Sequence, residues 1–432
     1  MATVMATVMR TKVATRAATR MESKIEVAVE RYQLCRTLRP LPNDPLLGLS
    51  ALFNADQRPD KIDLGVGVYK DQSGAAPVFK SVKSAEHKLW QTETTKAYIP
   101  PAGDSEFIQQ IEFLLLGQEH SSLQQRRVRS LQTPGGSCAL RIAAEFIQRC
   151  NPAATLWLSA PTWVNHQPLL GRVGLPIREY FYYDYQSNQL DFARLLDSLK
   201  AASAGDVMLL QGCCHNPSGA DLSPEQWQQL ADFCLDRGLI PLVDIAYQGF
   251  ARGLSEDASG LRLLCDQLPE VLITASCSKN FALYRERVGS FSVVAASPKK
   301  ADHALTQALD IIRGYYFVPA AHGAQVVKTI LQDPELRAGW LQELSAVRTR
   351  LGEVRQLLVH RSQEAGCADQ FAHIAKQQGM FSFLGLTPTQ VNQLRQDYSI
   401  YMADSSRINL SGINPSNINY LVKSVNLVLG SA

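Results

Sequence analysis

The chain has 432 residues, of which 46% are hydrophobic and 19% are charged. This is the composition of ordinary globular proteins, so it excludes a disordered or fibrous protein, and the length leaves room for about two or three domains. The net charge of +3 gives no general reason to expect nucleic acid binding. The sequence has no run of about 18 apolar residues that could cross a membrane.

The first 21 residues form a near four-residue repeat that contains four basic residues and no acidic one. An amphipathic start of this kind, with arginine and without acids, resembles an organellar presequence. The alternative is a disordered tail translated from a start codon upstream of the native one. We favour the tail and expect a cytoplasmic protein. The alternative location is the mitochondrion or plastid, if residues 1–21 are a presequence.

Further along the chain, short apolar runs alternate with helix-like segments. Such runs suit strands that are buried on both faces of a parallel sheet. The succession of strand, helix and strand predicts an α/β fold with right-handed crossovers. The predicted strands are Thr155–Ala160, Val207–Gly212, Ile240–Ala246, Val271–Ser276 and Ser290–Ala296.

Two helices carry clear signals. For the first, Ser223 can cap the amino terminus, Pro224 suits the first turn, and Gln226 completes a capping box. Gly238 suits its carboxyl-terminal cap. Residues 334–365 carry leucine and valine at helical spacing, which predicts a long amphipathic helix that leads into a second, smaller domain.

The sequence lacks complete matches to several common site motifs. The nine cysteines include no Cys-x-x-Cys pair, which predicts reduced thiols in a reducing compartment. Cys213 and Cys214 are adjacent, and adjacent residues rarely converge on one ion, so we predict no metal site. Residues 65–70 lack the third glycine of a dinucleotide fingerprint. Ser276 and Lys279 fit the S-x-x-K of serine β-lactamases, but the two companion motifs are missing.

Five other segments place polar residues at the ends of predicted strands or in adjoining loops, where open α/β sheets bind ligands. Each alone has an ordinary interpretation as a turn, a helix cap or a solvated side chain. Together they match the needs of pyridoxal phosphate (PLP), namely a lysine for a Schiff base, an acid for the pyridine nitrogen, donors for the phenolate oxygen and an anion site. The segments are residues 133–137, 216–219, 244–247, 276–287 and 406–407.

Three of these segments have a specific physical reason to belong to a PLP site. Lys279 follows a predicted strand, and an enclosed lysine near an arginine such as Arg287 has a lowered pKa and becomes a nucleophilic amine. Asp244 follows an apolar run, and a carboxylate at that depth needs a positive or hydrogen-bonding partner. The glycines of residues 133–137 precede a helical pattern and free backbone N–H groups for an anion.

Residues 64–70, 213–219, 244–250 and 276–281 resemble segments of the aspartate aminotransferases, which are class I aminotransferases of fold type I. The resemblance runs in one register from about Pro42 to the carboxyl terminus. It implies an α/β, PLP-dependent homodimer with shared active sites, a mostly parallel central sheet flanked by helices, and a second, smaller α/β domain. The implied divisions are an N-terminal tail and arm (residues 1–43), a large PLP-binding domain (77–346) and a small domain (44–76 plus 347–432).

The resemblance implies that Lys279 forms the Schiff base with the cofactor and, once released, acts as the general base. Asp244, supported by His166, would pair with the pyridine nitrogen. Tyr247 and Asn216 would bond the phenolate oxygen, and Tyr247 joins Lys279 and Asp244 as an implied catalytic residue. The other implied cofactor ligands are Trp163, which would stack on the ring, the phosphate-site residues Gly135, Gly136, Ser137, Ser276 and Arg287, and Tyr98 of the partner subunit.

The implied reaction belongs to amino acid metabolism and converts L-aspartate and 2-oxoglutarate to oxaloacetate and L-glutamate by a ping-pong mechanism. Arg407 would grip the substrate α-carboxylate in a bidentate fork, and Arg313 of the partner subunit would grip the distal carboxylate. The other implied substrate-binding residues are Gly67, Trp163, Asn216 and Phe381.

Some positions depart from the family pattern. Phe317 and Val318 stand beside Arg313, where aspartate aminotransferases have polar residues. They could tilt Arg313 aside and admit aromatic side chains. Cys138 stands where glycine is usual, and Gln211 where the family varies. An aromatic amino acid aminotransferase of the same fold is therefore the enzyme alternative, and a catalytically inactive homologue is the non-enzyme alternative.

Overall fold

A computed structural model describes residues 45–430 and, before them, residues 5, 9, 15–21, 35 and 37–41. The chain divides into two compact units, residues 1–48 and residues 49–432. In the first unit residues 15–21 are helical. The other residues of the suspected presequence, apart from Met5 and Met9, lie outside the described residues, so the compartment stays a prediction. None of the helices in the described part of the chain has the length and apolar character of a membrane span.

The strands of the described residues build one large sheet and three small ones. Their bounds are β1 (Ile62–Asp63), β2 (Val128–Pro134), β3 (Leu156–Ala160), β4 (Ile177–Phe181), β5 (Tyr183–Asp184), β6 (Gln189–Leu190), β7 (Val207–Gln211), β8 (Ile240–Ile245), β9 (Val271–Ser276), β10 (Val288–Val294), β11 (Phe381–Phe383), β12 (Ile400–Tyr401) and β13 (Arg407–Asn409).

The large sheet has seven strands within the described residues, in the order β2, β10, β9, β8, β7, β3, β4. The pairs from β9 to β4 are parallel, and β10 is antiparallel to both of its neighbours. The prediction of a mostly parallel central sheet is confirmed. Because β10 alone runs against the others, the carboxyl ends of β2, β7, β8 and β9 lie along one edge.

Four of the five predicted strands agree with the structure to within one residue at each end. The prediction for Ser290–Ala296 is two residues late, since this strand begins at Val288. All seven of its residues are buried, so no alternation of exposed and buried positions marks its start. The strands β2 and β4 were not predicted, because the first carries polar residues in its interior and the second is a partly exposed edge strand.

Two separate hydrophobic cores explain why the strands are apolar throughout. Successive residues of a strand point to opposite faces of the sheet. In β7, Leu209 belongs to one core and Leu210 to the other. Helices pack on both faces, as a parallel sheet requires. Their bounds are α1 (Pro45–Ala55), α2 (Lys80–Thr92), α3 (Ser105–Leu116), α4 (Ser121–Gln124), α5 (Gly135–Cys150), α6 (His166–Gly171), α7 (Phe192–Leu199), α8 (Pro224–Arg237), α9 (Leu254–Asp257), α10 (Ser259–Gln267), α11 (Pro298–Arg313), α12 (His322–Gln332), α13 (Pro334–Glu364), α14 (Ala368–Phe371), α15 (Pro388–Tyr398) and α16 (Ile418–Gly430).

Both signalled helices are confirmed. The Ser223 side chain accepts a hydrogen bond from the Gln226 N–H at the start of α8, and the reciprocal bond of the capping box is also present. Gly238 ends α8 with φ of 66°, a left-handed conformation that glycine adopts without a steric penalty. The long helix α13 has 31 residues, and the Asp333 carboxylate caps its amino terminus.

Segments from opposite ends of the second unit pair with each other. Strand β1 is parallel to β12, and the Asn409 side chain donates to the carbonyl oxygens of Val66 and Val68. These contacts join residues near position 65 to the carboxyl-terminal third of the chain. They support the small domain implied by the resemblance, whose boundaries at residues 44–76 and 347–432 we keep as a proposal.

Candidate active site

A cavity of about 210 Å³ lies at the edge of the large sheet where β2, β7, β8 and β9 end. It brings together ten residues predicted for the site, namely Gly67, Gly136, Ser137, Trp163, Asn216, Asp244, Tyr247, Ser276, Lys279 and Arg287. Sequence reasoning assigned no site role to the other lining residues, Leu140, Gln211, Ala246, Ser278 and Tyr284. We call Asp244, Ser276, Lys279 and Arg287 the sheet-edge cluster.

Lys279 follows the last residue of β9 and lines the cavity. Its Nζ lies 4.9 Å from the centroid of the Tyr247 ring. Burial lowers the pKa of the Lys279 ammonium to about 8; Asp244 opposes this shift and Arg287 adds to it. An amine with such a pKa has an appreciable unprotonated fraction near neutral pH, and the unprotonated form is what a nucleophile and a proton acceptor need.

Asp244 is buried near the end of β8 and is held by two neighbours. The Thr274 hydroxyl donates to its Oδ1 at 2.8 Å, and His166 Nε2 lies 3.3 Å from its Oδ2. The Nδ1 of His166 is in turn 2.7 Å from the Thr162 hydroxyl. The predicted support by His166 is present. Thr274 was missed, although its signal is the strand register, which places it directly opposite Asp244.

The start of α5 and Arg287 face each other across a narrow gap. Gly135 has φ of 77°, and a side-chain carbon added there would lie 2.6 Å from Arg287 Nη2, so this position has no room for a side chain. Arg287 Nη1 donates to the Ser278 hydroxyl and to the Tyr284 carbonyl, both at 3.2 Å. Both acceptors are neutral. The guanidinium charge and the amino terminus of a 16-residue helix therefore favour an anion here.

Arg407 is 5% exposed and lies 4.5 Å from the centroid of the Phe381 ring. It donates to the Gly65 carbonyl at 2.7 Å and to Asn216 Oδ1 at 3.3 Å, and among the described residues its Nε has no partner. Burial lowers the pKa of the guanidinium. All its acceptors are neutral, so a carboxylate would supply the missing negative charge.

Six predicted residues do not line the cavity. Gly135, His166, Phe381 and Arg407 are buried, whereas the other two, Tyr98 and Arg313, are exposed. Tyr98 is 88% exposed, and Arg313 is exposed at the end of α11. Phe317, in the same segment as Arg313, is 53% exposed. We call residues 313–319 the distal segment. Its exposure agrees with the expectation that Arg313 and Tyr98 serve the partner subunit, which stays a prediction.

Cys213, Cys214 and Asp257 offer ligand atoms that lie within 4.8 Å of one another. The carboxylate of Asp257, however, already accepts hydrogen bonds from four backbone N–H groups of residues 249–253. Burial raises the pKa of the Cys214 thiol. A saturated carboxylate and a protonated thiol favour a structural role for this group.

The model of the family "Aminotransferase class I and II" matches residues 59–425 of this chain. The chain is 48% identical over 388 residues to the aspartate aminotransferase of Salmonella typhi, and the match covers 90% of this chain and 98% of that protein. The chain belongs to the class I and II aminotransferases. Membership of this family confirms the predicted fold type I and the predicted enzyme class.

Other relatives of this aminotransferase are named for aromatic amino acids instead of aspartate. The chain is 44% identical to the aromatic-amino-acid aminotransferase of Pseudomonas aeruginosa, with 89% of this chain and 96% of that protein covered. It also resembles the structure of the aromatic-amino-acid aminotransferase of Burkholderia pseudomallei covalently bound to pyridoxal phosphate, with a TM-score of 0.90, 38% identity and coverage of 92% and 100%. The family is PLP-dependent, so the expected cofactor is confirmed. The relatives' names do not agree on the amino acid.

The residues of the cavity fit PLP. Gly135 allows Arg287 to approach the start of α5 closely, so that a guanidinium charge and a helix amino terminus, both suited to a phosphate group, lie at the cavity. The amine of Lys279, whose pKa is lowered by burial, and the buried carboxylate of Asp244 line the same cavity. The donor set therefore matches an aldehyde, a protonated pyridine nitrogen and a phosphate on one small molecule.

Proposed function

We propose that this aminotransferase exchanges the amino group between L-aspartate and 2-oxoglutarate, giving oxaloacetate and L-glutamate, and that it works as a homodimer with shared active sites. The observation that carries the proposal is a pair of arginines with no acidic partner. Arg407 is buried against neutral acceptors, and Arg313 has no ion pair within the described residues. Two such guanidinium groups suit a substrate with two carboxylates.

The proposed roles of the sheet-edge cluster follow from its geometry. When bound, PLP supplies an electron sink for the charge that develops at the substrate Cα. Lys279 Nζ takes the proton from that Cα, because burial lowers the pKa of the amine and makes its unprotonated form more accessible. Asp244 keeps the pyridine nitrogen protonated, and Thr274 and His166 hold its carboxylate in place.

The remaining residues bind the cofactor and orient the substrate. Tyr247 and Asn216 donate to the phenolate oxygen, and Trp163 packs on the ring. The phosphate is held by Gly135, Gly136, Ser137, Ser276 and Arg287, together with Tyr98 of the partner subunit. Arg407 orients the α-carboxylate over Phe381, beside Gly67.

A second candidate is transamination of aromatic amino acids. The exposed Phe317, two residues from Tyr315 and four from Arg313, favours it because an apolar surface near the distal carboxylate site lowers the cost of admitting a ring. A catalytically inactive homologue is disfavoured, because Lys279, Asp244, Arg287 and Arg407 are all present and assembled.

A substrate panel tests the proposal. Amino acids are added one at a time to the purified holoenzyme, and the loss of the visible cofactor band gives kcat/KM for each half-reaction. We expect aspartate and glutamate to exceed phenylalanine and tyrosine. A higher kcat/KM for either aromatic amino acid would instead establish the second candidate.

A further inference from the structure

Gln211 is the last residue of β7 and lines the cavity beside Asn216 and Asp244. Its amide makes two hydrogen bonds to the backbone of a single residue. The Asn216 N–H donates to Gln211 Oε1 at 2.8 Å, and Gln211 Nε2 donates to the Asn216 carbonyl at 2.9 Å. An N–H can only donate and a carbonyl can only accept, so these bonds fix the orientation of the amide.

The side chain of Asn216 is oriented by a different neighbour. Its Oδ1 accepts from Arg407 Nη1 at 3.3 Å. Arginine has donors and no acceptor, so the oxygen of the Asn216 amide must face Arg407. The Nδ2 group is then the end of the amide that remains for a ligand in the cavity. Gln211 thus fixes the backbone of Asn216, and Arg407 fixes its amide.

We propose that Gln211 is a positioning residue, which holds Asn216 so that one amide serves the cofactor phenolate through Nδ2 and the carboxylate-binding Arg407 through Oδ1. The inference rests on the role proposed for Asn216 and does not depend on which amino acid is the substrate. The Gln211 amide does not titrate. Its NH2 group and its carbonyl oxygen therefore hold Asn216 in the same position at every pH.

The test is a pH titration of the visible band of the holoenzyme, without substrate, in Gln211→Leu and Gln211→Glu. A donor to the phenolate stabilises its ionised form, so loss of that donor raises the apparent pKa of the band. Leucine removes both bonds to Asn216, and we expect a rise of about one pH unit. Because Arg407 loses an oriented partner, KM for the amino acid also rises, by about tenfold.

Gln211→Glu separates positioning from packing. A protonated glutamic acid reproduces both hydrogen bonds, whereas the carboxylate faces the Asn216 carbonyl without a proton. The variant should therefore match the wild type at low pH and depart from it as the new group ionises. The control is Gln396→Glu, an exposed change on α15 that adds the same charge, and it should leave the band unchanged.

Two outcomes overturn the proposal. One is a folded Gln211→Leu holoenzyme whose band titrates within about 0.2 pH units of the wild type. The other is an unchanged band in Asn216→Ala, which would show that Asn216 does not reach the phenolate. If Gln211→Leu does not fold, the pH-dependent departure of Gln211→Glu decides the matter. A preference for aromatic substrates would contradict the proposed function but would leave these spectra, and the inference from them, intact.

Discussion

The sheet-edge cluster and the distal segment are built in opposite ways. In the cluster, the Asp244 carboxylate and the Arg287 guanidinium each have two hydrogen-bond partners from the same subunit. In the distal segment, Arg313 and Phe317 are exposed. The segment is anchored through its tyrosines instead, since the Tyr316 hydroxyl donates to the Gln132 carbonyl at 3.1 Å and Tyr315 contacts Glu145 and Arg141.

This difference separates the chemistry from the choice of substrate. A buried site whose polar groups are held by partners of the same subunit is preorganised, which favours a chemical step common to all substrates. An exposed arginine is available to a group from outside the subunit, such as a substrate carboxylate. We therefore expect changes in the sheet-edge cluster to abolish turnover of every amino acid, and changes in the distal segment to alter the ranking of amino acids.

The largest effect is expected from Lys279→Ala. It should lower kcat by about 10⁴-fold for aspartate and for phenylalanine alike, because it removes both the nucleophile and the proton acceptor. Stopped-flow absorbance measures the loss, and Lys299→Ala, an exposed change at the start of α11, is the control. Borohydride reduction followed by peptide mapping should place the cofactor on Lys279. Trapping on another lysine would overturn the assignment.

The next effect tests whether the distal segment serves the other subunit. Arg313→Ala should lower kcat/KM for aspartate by about 100-fold, because a distal carboxylate loses its charged partner. Refolded mixtures of Arg313→Ala and Lys279→Ala subunits should recover roughly a quarter of wild-type activity, since random pairing gives hybrids with one intact site each.

If Arg313 served its own subunit, no hybrid would contain an intact site. Mixtures would then show no recovery above the two parent variants. Measurement of the same mixtures with an aromatic amino acid sharpens the comparison, because Arg313 should matter less for a substrate without a distal carboxylate.

A smaller and graded effect is expected from pH. The lowered pKa of Lys279 means that its free amine is present above about pH 8 and is lost below it. The rate at which the visible band forms from apoenzyme and PLP should therefore rise about tenfold per pH unit up to about pH 8 and then level off. A rise that continues to the ordinary lysine value of 10.5 would show that the amine is solvated.

The sequence predicted the sheet-edge cluster better than the contacts that hold it. Lys279, Asp244 and Arg287 stand in recognisable segments at the edge of the sheet, so their residue types and positions were sufficient to predict that they line one site. Thr274 and Gln211 were not predicted to act, because their roles arise from strand register and from a bond between a side chain and a backbone. Neither leaves a residue pattern along the chain.

The strand β10 and the distal segment show two further limits of prediction from the sequence. A strand that is buried on both faces has no periodic signal at its ends, and in β10 Gly289 also interrupts the apolar run, so the predicted start was two residues late. The role proposed for the distal segment involves a second subunit, and a contact between two subunits leaves no pattern along one chain.

The smallest effect is expected from Phe317→Ser combined with Val318→Asn, which restores polar residues beside Arg313. Phe317 is 53% exposed and has φ of 62°, a conformation that bulky side chains rarely adopt. Removal of the two apolar side chains withdraws contacts from an aromatic ring and leaves Arg313 free to meet a carboxylate. An apolar contact of this size is worth about 1–3 kcal/mol in discrimination, whereas the hydrogen-bonded ion pair proposed between Arg313 and a distal carboxylate is worth about as much or more.

Aspartate should therefore be preferred already in the wild type, and the double variant should raise the ratio of kcat/KM for aspartate to that for phenylalanine by about 3- to 10-fold. The ratio is measured from the two half-reactions of each variant, with Leu235→Ser as the control because Leu235 is an exposed apolar residue on α8. An unchanged ratio would mean that Phe317 and Val318 do not reach the substrate. A lower ratio would mean that they hold Arg313 towards the distal carboxylate instead of tilting it away.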